Sequence, residues 1–121
     1  MMKSIPVWKQ ELSDGVHAAR LASLYCCAPA ETASEAARYA AVLEGLEKTF
    51  GSHAEAGLYS APGRTELGGN HTDHQHGRVL AGSVNIYMIA AAAPNDKNQL
   101  RVQSEGYDLC VIDLNDLEAR K

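Results

Sequence analysis

The apolar pattern of this chain changes period at Gly51, and that change limits the possible folds more than any other feature. Before it, Tyr39, Val42, Leu43, Leu46 and Phe50 recur at helical spacing, which predicts a helix over Thr32–Phe50. Thr32 followed by Glu35 reads as a capping box at its start, and Gly51 stands where a left-handed residue would end it. An earlier helix is expected over residues 16–25, with Leu21 and Leu24 inward, stopped by the Ala28-Pro29-Ala30 break. Residues 5–12 are too short for their period to be assigned. After Gly51, residues 57–61 and 64–67 read as short extended runs around Pro62-Gly63, and residues 79–89, continued by 90–93, as an apolar run suited to buried strands. The alanines of that run would also suit a helix, but Pro94-Asn95-Asp96-Lys97-Asn98 is turn chemistry and favours a strand. Leu100-Arg101-Val102-Gln103 then alternates as its hairpin partner, and Tyr107, Leu109 and Val111 continue the alternation. The expected fold is α+β, with N-terminal helices packed on a small mixed β-sheet. It is read as a single domain over residues 1–121, helical over 1–51 and sheet-forming over 52–121.

The 121 residues are 45% apolar, enough for one real core. The net charge of -4 arises from 11 basic and 15 acidic residues mixed along the chain, so no basic stripe is available and nucleic acid is not an expected partner. No apolar run has signal-peptide or membrane-spanning form, which predicts a cytoplasmic protein without a membrane partner. Cys26, Cys27 and Cys110 are odd in number, and two are adjacent; they read as reduced thiols.

Residues 63–82 concentrate the unusual chemistry: Gly63, Gly68, Gly69, Gly77 and Gly82 surround His71, Asp73, His74 and His76. Glycines let a backbone approach a ligand closely. His71, Asp73 and His74 could offer metal ligands, although one short segment shows neither a full ligand set nor a second shell; His74 and His76 could equally be solvated loop residues. Arg64, His71 and Asp73 together offer a fixed cation, a ring that gives or takes a proton and an acceptor carboxylate, the mixture that sugar hydroxyls require. A structural ion pair between Arg64 and Asp73 accounts for the same residues. From the residues alone these readings stay open.

Residues 61–74 run Ala61-Pro62-Gly63-Arg64-Thr65-Glu66-Leu67-Gly68-Gly69-Asn70-His71-Thr72-Asp73-His74. This resembles the galactokinase signature, A-P-G-R-V-N-L-I-G-E-H-T-D-Y, which lies at the sugar site of that family. Residues 77–84 resemble the family's next strand and residues 89–107 the following hairpin with its P-N-D turn. The resemblance implies the first part of a GHMP-kinase N-terminal domain, of the ribosomal protein S5 domain 2-like fold. It also implies a parent activity: transfer of the γ-phosphoryl group of ATP, with Mg²⁺, to the anomeric hydroxyl of galactose or a related sugar. It assigns Arg64 to the reacting hydroxyl as the catalytic residue, His71 to the C6 end of the sugar, and Asp73 to the ring hydroxyls. Asn70 stands where the family has a glutamate, Glu66 where it has an asparagine and His74 where it has a tyrosine. Asn70 can still hydrogen-bond an exocyclic hydroxyl, with a shorter and neutral group.

The family's glycine- and serine-rich phosphate loop and its catalytic aspartate have no counterpart in these 121 residues. The expectation is therefore an N-terminal, sugar-binding part of a longer kinase, inactive by itself and binding neither ATP, Mg²⁺ nor another metal ion. A non-catalytic sugar sensor, or a kinase for a different sugar, is the alternative. Self-association through uncovered apolar surface is a further expectation.

Overall fold

Three helices lie against one end of a two-stranded ribbon in the computed structural model of the chain, which describes residues 1–69 and 76–118. β1 is Met2–Lys3, α1 Ile5–Ser13, α2 Ala18–Tyr25, α3 Thr32–Phe50, β2 Ala56–Gly68, β3 Leu80–Ala92, β4 Gln99–Val102 and β5 Cys110–Asp113. The short segment at residues 5–12, which has no readable period in the sequence, is helical. Pro6 sits in its first turn, where no N–H is needed, and Ile5, Trp8 and Leu12 are buried along one stripe. Trp8 Nε1–H donates to the Ala56 carbonyl at 2.8 Å, tying α1 to the start of β2.

α2 buries Leu21 and Tyr25, whereas Leu24 is exposed, so the expectation of an inward Leu24 is corrected. One residue of rotation is 100°, and the stacking of Tyr25 on Tyr87, with ring centroids 4.1 Å apart, fixes which side of the helix faces in. Cys26, in the left-handed region at φ 49°, ends α2.

α3 has the bounds that its apolar period predicts, and it buries Tyr39, Leu43 and Leu46 while Val42 and Phe50 are half-buried. Its start is built differently from the expected Thr32–Glu35 capping box. A 3-10 turn over Pro29–Glu31 runs directly into the helix, so Thr32 is already helical and its hydroxyl donates back to the Pro29 carbonyl at 2.7 Å. Glu31 accepts the Ala28 N–H at 2.9 Å, and Glu35 is free to turn toward β3. Gly51 ends the helix with φ 86° but an extended ψ of -178°, a positive φ without the full left-handed conformation.

The two extended runs at 57–61 and 64–67 are one thirteen-residue strand, and the apolar run after Val79 is a strand, as expected. β2 pairs antiparallel with both β1 and β3. Among the described residues every pairing is antiparallel, which corrects the expected mixed sheet. After Gly51 no described helix offers the crossover that a parallel neighbour needs, and the helical connection between β1 and β2 brings those two strands together antiparallel. β4 also departs from expectation: it pairs with β5 in a separate hairpin and not with β3. Asn95 closes a side-chain turn on the Lys97 N–H and Asn98 has φ 44°, so the chain leaves β3 in a new direction. Val111 lies in β5, while Tyr107 belongs to the turn at Gly106.

The core lies at the helical end of the ribbon, where Leu58, Tyr87, Ile89 and Ala91 pack against Tyr39, Leu43 and Leu46. No helix among the described residues is long and apolar enough to cross a membrane. On its polar flank Glu11 receives Lys3 Nζ–H and lies 2.7 Å from His17 Nε2. These contacts, Lys3 first, hold its carboxyl below its ordinary value of 4.5. A carboxyl lowered in the folded state contributes stability above its ordinary value and loses it as the pH falls through the lower folded value. Glu11→Gln should therefore flatten the fall in denaturation midpoint between about pH 5 and pH 3, where the unsubstituted chain loses this contribution; parallel curves would contradict the assignment.

Candidate functional site

Beyond the helices, β2 and β3 continue as a ribbon that carries the glycine-rich segment, and its register shifts twice, between Pro62 and Gly63 and between Glu66 and Gly68. Pro62 pairs with Tyr87 but Gly63 pairs with Val84, so Asn85 and Ile86 are two extra residues on β3. Pro62 sits at that step, where its missing N–H costs no regular ladder bond. The bulge folds the β3 backbone over Gly63: a Cβ there would lie 2.8 Å from the Ile86 carbonyl oxygen and 3.0 Å from Val84 Cγ2. Gly69, at φ 87°, meets the other end of the ribbon, where a Cβ would lie 2.2 Å from the Arg78 carbonyl oxygen. At Gly63 it is the neighbouring strand that makes the close approach, and at Gly69 the segment just before β3.

Arg64 follows the bulge, opposite Ser83, and Glu66 lies opposite Ala81. Alternation along β2 puts both side chains on one face. Arg64 Nη2–H donates to Glu66 Oε1 at 3.2 Å, with the arginine side chain 72% exposed and the glutamate 30%. The ion pair considered from sequence was Arg64 with Asp73; Asp73, Asn70, His71 and His74 lie outside the described residues, and the partner that the structure gives Arg64 is Glu66. His76, the first described residue after that segment, has φ 52°. Cys26, Cys27 and Cys110 are free thiols.

A second polar feature was not foreseen. The Tyr87 hydroxyl donates to Glu35 Oε2 at 2.5 Å, Arg38 bonds both Glu35 and the Tyr87 hydroxyl, and the Arg38 guanidinium lies 4.6 Å from the centroid of the Tyr87 ring. Burial, and after it the bond to Glu35, pushes the Tyr87 phenol up to about 12, so it stays a donor at neutral pH. These groups line an open cleft of about 500 Å³ between α3 and the bulge. These contacts make the cluster a strut between α3 and the bulge. The spacing of Glu35 and Arg38 on one helical face was legible in the sequence, but their partner 49 to 52 residues away was not.

The galactokinase galactose-binding signature matches residues 44–94, from the second half of α3 through β2 and β3. Over this segment the chain is similar to the galactokinases. The galactokinase of Ligilactobacillus salivarius is 39% identical over 75 residues, 60% of this chain and 19% of its own length. That of Lacticaseibacillus casei is 35% identical over 66 residues, 54% of the chain and 17% of its length, and that of Lactococcus lactis is 33% identical over 81 residues, 64% and 20%. The chain thus spans about a fifth of the length of these curated relatives. No solved structure is significantly similar to it. The sequence reading confined the resemblance to the second half of the chain, yet the galactokinase signature begins at Glu44, inside α3.

The two glycines nearest Arg64 give a direct test of the bulge. Gly63→Ala should destabilise the chain by about 1–3 kcal/mol, because backbone must move to admit the methyl group. Gly68→Ala, with nothing within 4 Å of its Cβ, should change stability by under about 1 kcal/mol. Equal losses in chemical denaturation would contradict the close approach at Gly63.

Proposed function

We propose that this chain supplies the sugar-recognition part of a galactokinase-type enzyme, of the GHMP-kinase fold, that phosphorylates galactose or a close relative at its anomeric hydroxyl. The observation that supports it is the galactose-binding signature over residues 44–94. On this reading Asp73 accepts hydrogen bonds from neighbouring ring hydroxyls, and His71 and Asn70 meet the C6 end. Arg64 keeps guanidinium donors beyond the one directed at Glu66, and these can stabilise charge developing on the attacking oxygen. Such positioning and charge stabilisation are most of what a phosphoryl-transfer enzyme supplies.

ATP brings the phosphoryl group, and Mg²⁺ neutralises its charge when bound. Among the described residues no three of His, Cys, Asp and Glu come together as a metal site. The parts that hold ATP and Mg²⁺ belong, on this proposal, to further polypeptide, and the 121 residues alone do not turn over. The enzyme is cytoplasmic on the same reading. The face of the ribbon turned away from the helices, with Ile86 78% and Met88 75% exposed, supports a covering partner, either that further polypeptide or a second copy.

In the intact enzyme, Asp73→Ala should raise the galactose KM about tenfold to a hundredfold and leave the ATP KM nearly unchanged, since losing a charge-assisted contact costs about 1.5–3 kcal/mol. Steady-state kinetics with each substrate varied in turn checks this. A galactose KM within about threefold of the unsubstituted enzyme contradicts the role given to Asp73.

A further inference from the structure

We infer that Glu66 is a positioning residue for Arg64, holding its guanidinium in the orientation that a sugar hydroxyl meets; the inference rests on the proposal that Arg64 faces the sugar. The pair lies two residues apart on one face of a strand, so the backbone already brings the side chains together and no loop has to close. Glu66 is the better-buried partner, 30% exposed against 72%, and therefore acts as the anchor while the arginine is the element being held. The residues opposite give Arg64 no other support: Ser83, Gly82 and Ala81 are small and leave the long side chain room to swing. Without an acceptor, its planar fork would be spread over many rotamers.

Glu66 takes up Nη2 of that fork at 3.2 Å, and the structure gives no described residue a bond to the remaining N–H groups, which can meet an incoming oxygen. The carboxylate also offsets the guanidinium charge before a substrate arrives, so no solvent anion is needed as its counter-ion. An amide at position 66 could accept one hydrogen bond but would supply neither the charge nor the stronger contact. Gly63, pinned under the Ile86 carbonyl, fixes the backbone one residue before Arg64, and Glu66 fixes the side chain beyond it.

The test uses the 121-residue chain and reads the Arg64 Nη2–H signal by NMR at low temperature, first free and then titrated with galactose. In Glu66→Gln the hydrogen exchange of that signal should speed up at least about fivefold, and the galactose concentration for half-maximal response should rise at least about threefold. Glu66→Asp, which keeps the charge on a shorter arm, should fall between the two, and unchanged amide signals of β3 would show that the ribbon is intact. Unchanged exchange in Glu66→Gln overturns the inference, and so does faster exchange with an unchanged galactose response. Arg64→Ala separates this from the underlying proposal. If Arg64→Ala binds galactose as the unsubstituted chain does, the placement of Arg64 at the sugar fails. If it weakens binding while Glu66→Gln does not, only the role of Glu66 fails.

Discussion

The close approach of the Ile86 carbonyl to Gly63 is the constraint on which the rest of the signature ribbon depends. Two extra residues on β3 would ordinarily disrupt a ladder, but here they are accommodated because Pro62 needs no partner at the step and Gly63 has no Cβ to collide. Tyr87, next to the bulge, is held from behind by stacking on Tyr25 and by the Glu35–Arg38 pair of α3. The helical layer thus reaches the site through Tyr87, although it contributes no group that touches Arg64. The galactose-binding signature also reaches into α3, but it begins at Glu44, after Glu35 and Arg38.

Burial is divided unequally along the ribbon. Leu58, Ile89 and Ala91 pack at the helical end, whereas Arg64, Leu67, Leu80 and Ser83 are exposed beyond it. Segments with few buried apolar contacts open more readily than the core to which they are attached. On the proposed function, a sugar-binding segment placed there can adjust to a ligand without loss of the fold.

The bounds of α3 were legible in the sequence because five apolar side chains share a period and a glycine follows the last of them. Its cap was not, since Pro29 starts the turn earlier and moves Thr32 inside the helix. The signature residues could be singled out by their chemistry, as glycines and polar groups between apolar strands. The partnership of Arg64 with Glu66 was missed for another reason: both lie in the predicted run 64–67, where alternation already puts them on one face, but the charge complement was sought at Asp73 instead. The mispaired β4 has a similar origin: alternation identifies a strand, but the direction of the chain after Asn98 decides which strand it meets.

The central claim is that galactose is recognised on the signature ribbon and not in the polar cleft beside α3. Backbone amide NMR of the chain titrated with galactose separates the two sites. The account predicts progressive shifts at Arg64, Glu66, Gly69 and His76, with Ser34, Glu35 and Arg38 nearly unmoved. Shifts confined to the residues of the cleft, with the ribbon unchanged at saturating sugar, would contradict it.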